Sequence, residues 1–160
     1  GLGPSPRPLL RFDSGHATGF ELRDLDADGR RELLLGDDAF SYFDDLSFDE
    51  SPGRLPLAAC IADGRFHDCT PGFPALLRAE MARYADRLRT PVSDAETKVV
   101  QGAALGVLAL SVLLGEEERG LATVRQAVPD EAVGRWIERA RPKVRDWAAG
   151  RSKRLRDGKQ

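Results

Sequence analysis

Polar and apolar positions alternate along the first half of the chain and recur at helical spacing along the second. Leu9-Leu10-Arg11-Phe12 reads as a first short strand, and Thr18-Gly19-Phe20-Glu21-Leu22-Arg23 alternates with a period of two. Glu32-Leu33-Leu34-Leu35-Gly36 is a short apolar run of the length of a buried strand. Leu55–Ala62 and Arg65–Cys69 flank Asp63-Gly64, a pair that favours a tight hairpin turn. After Thr70-Pro71-Gly72 the period changes. Leu76, Leu77, Met81, Tyr84, Ala85 and Leu88 fall on one helical stripe, with charged residues largely opposite. Thr90-Pro91 stops that helix, and Ser93-Asp94-Ala95-Glu96 has the form of a capping box for the next. The following helix, 94–114, is apolar nearly all round and is expected to be the most buried, with Gly102 and Gly106 permitting close approach of another element. A third helix starts at Glu116-Glu117-Glu118, with Leu121, Val124 and Val128 inward. A fourth starts at Pro129-Asp130, with Val133, Trp136, Ile137, Ala140, Val144 and Trp147 inward and a kink or break expected at Pro142.

Strand patterns precede helix patterns without alternating with them, which predicts an α+β fold. It divides into a leader 1–8, a β-rich region 9–70 forming a small antiparallel sheet, a helical C-terminal region 71–149 packed on it, and a basic tail 150–160 expected to fray. The Pro- and Gly-rich leader has no periodicity. The chain begins at Gly1 without Met and reads as a processed product.

Composition changes this picture in two ways. Net charge is only −2, but residues 1–70 carry seven basic and fourteen acidic groups, whereas residues 71–160 carry seventeen basic and twelve acidic. The longest apolar stretch, Val99–Leu114, is interrupted by Gln101 and falls short of the ~20 residues a membrane span requires.

The acidic half holds the most informative motif. Asp24-Leu25-Asp26-Ala27-Asp28-Gly29-Arg30-Arg31-Glu32 sets three carboxylates at alternate positions, then a glycine, then a fourth carboxylate. Calcium takes roughly 6–8 oxygen ligands. Short Asp side chains at alternate positions of a curled loop suit it, and Gly29 permits the turn that curls the loop. An EF-hand would carry Glu at the twelfth position and helices on both sides; here the twelfth position is Leu35 and the flanks read as strands.

This nine-residue loop between strands resembles the calcium loop of FG-GAP and VCBS repeats. The resemblance covers residues 18–43 and implies calcium held by the side chains of Asp24, Asp26, Asp28 and Glu32 and by the main-chain carbonyl of Arg30. Only one copy of the motif is present, which argues against a propeller of successive repeats. The wider pattern, through Asp37-Asp38 and Phe40 and including Asp63-Gly64-Arg65-Phe66, looks like that of uncharacterised secreted bacterial proteins bearing a single such motif.

Other candidate chemistry is weaker. With a two-residue turn at Asp63-Gly64, Cys60 and Cys69 share a face but lie diagonally; a four-residue loop would set them directly opposite. A disulfide is expected, and zinc held by Cys60, His67 and Cys69 would lack a fourth ligand. Asp13, Ser14 and His16 are too close in sequence to form a triad readily. The stretch 37–50 interleaves six acids with Phe40, Tyr42, Phe43, Leu46 and Phe48, and reads as a loop pinned by its aromatics or as a partner-binding segment.

The combined reading is a calcium-binding, calcium-stabilised, secreted or periplasmic domain. It is more plausibly a non-enzymatic interaction module than an enzyme, with a protein partner at 37–50 or on the helices. The alternatives are a hydrolase using the acidic cluster, for which there is no nucleophile or phosphate motif, and nucleic-acid binding through the arginines and lysines of the last helix, which a pI near 5.8 disfavours.

Overall fold

A computed structural model describes residues 10, 12, 15–16, 19–89 and 97–157. Four strands form one antiparallel sheet in sequence order: β1 (Glu21–Arg23), β2 (Glu32–Asp37), β3 (Leu55–Ala62) and β4 (Arg65–Asp68). The register pairs Leu22 with Leu33, Leu33 with Ala59 and Ala59 with Asp68, so these residues share one face. Glu21, Leu34 and Ala58 line up on the other. A 3₁₀ turn, Thr70–Gly72, leads into α1 (Pro74–Arg89), followed by α2 (Thr97–Leu113), α3 (Glu117–Ala127) and α4 (Glu131–Asp157). The α+β architecture expected from the change of period is the one observed. The capping box at 93–96 lies outside the described residues, as does most of the expected strand 9–12; Leu10 and Phe12, which are described, pack on the Leu22 face of the sheet.

α2 is the centre of the helical layer and packs against α1, α3 and α4. Its residues from Gly102 to Ser111 are all buried, as an all-round apolar sequence requires. Gly102 meets the backbone of Glu50, and Gly106 lies against the Tyr84 ring. The inward stripe of α4 is buried at each of the six expected positions. Phe40 and Leu46, from the long loop between β2 and β3, join the same core and tie the sheet to the helices.

Two expectations for α4 are corrected. The break expected as one outcome at Pro142 does not occur: the helix continues through that residue, which sits on its exposed face. There the carbonyl left without an N–H partner can be hydrated, while Ala140 and Val144 are buried on either side. The basic end, expected to fray after Ala149, is helical to Asp157 with Arg151 and Leu155 buried. The stripe of Val144, Trp147, Arg151 and Leu155 simply extends the apolar face, and Leu155 packs on Leu57 and Ala59 of the sheet.

The hairpin between β3 and β4 uses the two-residue turn, with Asp63 and Gly64 both at positive φ (51° and 69°) as a type I′ turn needs. Cys60 is therefore opposite His67, yet it is bridged to Cys69. The ladder runs one residue past β4 through Cys69 N–H donating to the Ala58 carbonyl, and the Cα atoms of the two cysteines are 5.8 Å apart, well inside disulfide range. Closing a short loop of this size is expected to contribute about 2–3 kcal/mol. Reductant should lower the melting temperature of the wild type and leave a Cys60→Ser, Cys69→Ser double variant unmoved. A wild-type melt insensitive to full reduction would contradict this.

Candidate metal centre

The loop 24–31 joins β1 to β2, and the Arg23–Glu32 pair closes its base. Its curl is built from the acids themselves. An Asp24 oxygen accepts the N–H of Gly29 (3.0 Å), Asp26 accepts that of Asp28 (3.2 Å), and Asp28 accepts that of Arg30 (2.7 Å). Such local bonds are favoured by Asp in turns. The backbone reverses through Ala27 and Gly29, at φ 62° and 86°. Gly29 takes that conformation freely, and with nothing near the position of its missing Cβ it is needed for its φ rather than for space.

The result is an exposed cluster in which one carboxylate oxygen from each of Asp24, Asp26 and Asp28 lies within 4.8 Å of the others. Calcium binds oxygens at about 2.3–2.6 Å, so two ligands of one ion can stand up to about 5 Å apart. The spacing therefore fits a single calcium, and the all-oxygen, triply anionic donor set fits a hard divalent cation. Three carboxylates this close repel one another unless a cation or protons intervene.

The other two residues of the motif stand differently. Glu32 is buried, outside the three-oxygen cluster, and its Oε2 accepts the N–H of Leu25 at 2.9 Å. It fastens the start of the loop to the base of β2. Arg30 presents an exposed side chain, and its N–H is the donor to Asp28.

The remaining acids and bases are largely engaged within the fold. Asp37 and Asp44 accept the indole N–H groups of Trp147 and Trp136 (both 3.1 Å), Asp45 pairs with Lys98, and Glu50 accepts the Ser47 N–H at 2.6 Å. That last bond holds the Glu50 carboxyl below its usual range. On α4, Arg141 pairs with Glu117, Glu118 and Glu138, Arg145 with Glu117, and Arg135 with Glu131. Arg151 is buried against the sheet. The acidic start of α3 thus neutralises much of the basic face that a phosphate backbone would need. Both sulfurs of Cys60 and Cys69 are in the disulfide, leaving no thiolate for zinc. His16 lies 3.4 Å from Asp38, while Asp13 and Ser14 are outside the described residues. No helix among the described residues is long and apolar enough to cross a membrane.

Sequence reasoning missed the buried centre around Arg151. Its Nη2 donates to the Pro56 carbonyl (2.8 Å), its Nε lies 3.3 Å from Asp68 and 3.6 Å from Asp37, and its guanidinium stacks on Trp147. Leu155, one turn beyond, was the signal that the helix continues inward. Comparison with protein-family models, with curated proteins and with solved structures returned no match for this chain.

Proposed function

We propose that the chain is a calcium-binding, calcium-stabilised domain of a secreted or periplasmic protein, acting as a non-enzymatic interaction module. The observation that carries this reading is the convergence of Asp24, Asp26 and Asp28 at calcium spacing on an exposed loop whose curl they themselves make. The disulfide supports an oxidising compartment, where such bridges persist and where calcium is abundant. In this reading the three aspartates bind the ion directly and the Arg30 carbonyl completes the loop. Glu32 holds the loop closed and offers its second oxygen.

The test is thermal melting in millimolar calcium and in chelator. With binding at about 10⁻⁵ M and free calcium near 10⁻³ M, the native state gains RT ln(1 + 100), about 2.7 kcal/mol. For a chain of this size that is a rise of roughly 5–10 °C. Binding at about 10⁻⁴ M would give only about 1.4 kcal/mol. Magnesium should be a poor substitute, because it demands a tighter octahedral shell. Asp26→Ala should abolish the response without changing helix content, since the side chain is exposed and touches no core residue. Identical melting in calcium and chelator, with no calcium detected in equilibrium dialysis, would refute the reading.

A further inference from the structure

A cleft of about 600 Å³ lies on the Glu21–Leu34–Ala58 face of the sheet, opposite α1. Leu34 and Pro56 line it from the sheet and Tyr84 from the helix. The Tyr84 hydroxyl donates to the Pro52 carbonyl, and burial pushes its phenol up to about 12, so it remains neutral. Arg54 crosses the sheet by lying on Gly36, where any Cβ would stand 2.3 Å from its Cγ. Phe48 and Asp49 edge the cleft, and beyond Phe48 stand two more exposed rings. His16, Tyr42 and Phe48 are mutually 5.3–6.0 Å apart, centroid to centroid.

Tyr42 is more than half exposed and sits at φ 59°, a conformation that a bulky residue seldom adopts and that costs about 1–3 kcal/mol. It is held there by its N–H donating to the Ser51 hydroxyl, which in turn donates to the Ser47 carbonyl. Phe40 and Phe43 of the same loop pack into or against the core, so the loop holds two of its rings inward and two outward.

The charges of the cleft decide what it suits. Its three arginines, Arg54, Arg83 and Arg87, are matched by three acids, Glu21, Asp49 and Glu80. Arg83 already pairs with Glu80 at 2.9 Å, and Arg87 stacks on the Tyr84 ring. A net-neutral lining gives no long-range pull to an anion or a cation. It does offer fork-shaped donors beside carboxylate acceptors, which is what a ligand rich in hydroxyls can satisfy, each hydroxyl both donating and accepting. Rings at the mouth suit a ligand with one apolar C–H face. We propose that this cleft binds a neutral saccharide. The face of a sugar ring lies on Phe48 at the cleft's edge, with Tyr42 and His16 beyond it, and its hydroxyls meet Arg54, Arg87 and Asp49. The volume is in the range of small-ligand sites.

The experiment uses the full chain on an array of neutral and acidic oligosaccharides, with bound sugars then titrated calorimetrically and inorganic phosphate as the anion control. At least one neutral oligosaccharide should bind, with the same affinity at 50 mM and 500 mM salt, because an uncharged ligand is not screened. Phe48→Ala and Arg87→Ala should each weaken it tenfold or more while melting like the wild type, both side chains being exposed. Binding should persist in chelator, because the cleft and the 24–31 loop share no residue. The proposal is overturned if no neutral sugar binds or if only acidic sugars or phosphate bind in a salt-sensitive way. It is equally overturned if binding survives both substitutions or is lost in chelator, which would move the ligand to the metal loop.

Discussion

Arg151→Ala is expected to lower stability by about 3–5 kcal/mol, the usual effect of removing one partner from a buried ionic group. In a chain of this length that is a fall in melting temperature of roughly 6–20 °C. The side chain of Arg151 is 1% exposed, and those of Asp37 and Asp68 are 4% and 5% exposed. Neither carboxylate can turn to water when the guanidinium goes. The arginine also ties three chain segments together: the Pro56 carbonyl of β3, the Thr70 hydroxyl, and Trp147 one turn earlier on α4. Thr70 is itself locked, taking the Ala58 N–H at 2.9 Å and donating to Asp68 at 2.6 Å. Arg151→Lys keeps the charge but not the planar fork, and should cost less than alanine. The triple variant Arg151→Met, Asp37→Asn, Asp68→Asn should recover much of the loss, since a buried ionic cluster replaced as a whole is often near neutral in stability. The amide oxygen that replaces the Asp37 carboxylate can still accept the Trp147 indole N–H. A single Arg151→Ala variant melting within a degree or two of wild type would show that the end of α4 contributes little to the fold.

That centre also marks where the sequence stopped being legible. The strand and helix patterns of residues 21–149 are dominated by periodic apolar positions, and apart from the break expected at Pro142 the elements they predict are those observed, including the central burial of α2 and the two glycine contacts. Past Ala149 the composition is dominated by Arg and Lys, and charge outweighed period in the reading. Burial of a cation depends on acids more than 80 residues away in sequence, Asp37 and Asp68, which no local pattern reports. The hairpin shows the same limit on a smaller scale. Asp63-Gly64 predicts its turn and the disulfide is the one expected, but a flat-sheet register sets the diagonal Cys60–Cys69 pair somewhat far apart for a bridge. The closing distance depends on sheet twist and on the ladder's extension to Cys69, which are three-dimensional properties.

The candidate sites divide along the same line. The candidate metal loop is contiguous, so its three aspartates were legible from spacing alone, and they do converge. The position of Glu32 was not, because its carboxylate could turn either to the ion or to the N–H of Leu25, and spacing does not distinguish the two. The cleft was invisible, since it is assembled from β1, β2, β3, the long loop and α1. Its one sequence trace is the aromatic loop 40–48, in which Phe40 and Phe43 serve the core while Tyr42 and Phe48 face outward.

Two alanine substitutions for glycine in helices should move stability in opposite directions, and the contrast isolates how the long loop is seated. At Gly134 of α4 nothing lies within 4 Å of a built Cβ. Gly134→Ala should therefore stabilise by up to about 1 kcal/mol, through helix propensity and a less flexible unfolded chain. At Gly102 of α2 a Cβ would stand 1.7 Å from the Glu50 carbonyl oxygen and 2.9 Å from its carbonyl carbon. The obstacle is backbone, so no rotamer change relieves it. The propensity gain of about 1 kcal/mol is the same, but either α2 or the loop must shift by an ångström or more. Overpacking of this kind typically costs about 1–3 kcal/mol, occasionally more, and a backbone contact belongs at the upper end. The net effect expected of Gly102→Ala is a loss of about 2 kcal/mol or more, with Gly102→Val worse. Because Phe48 and Asp49 directly precede Glu50, the displaced loop also carries the rim of the cleft with it. Tyr42 should be disturbed in turn, since its N–H is held by Ser51, the residue after Glu50. Chemical denaturation of the two variants decides the matter. Equal, stabilising effects at both positions would mean that the loop does not rest on α2 at Gly102.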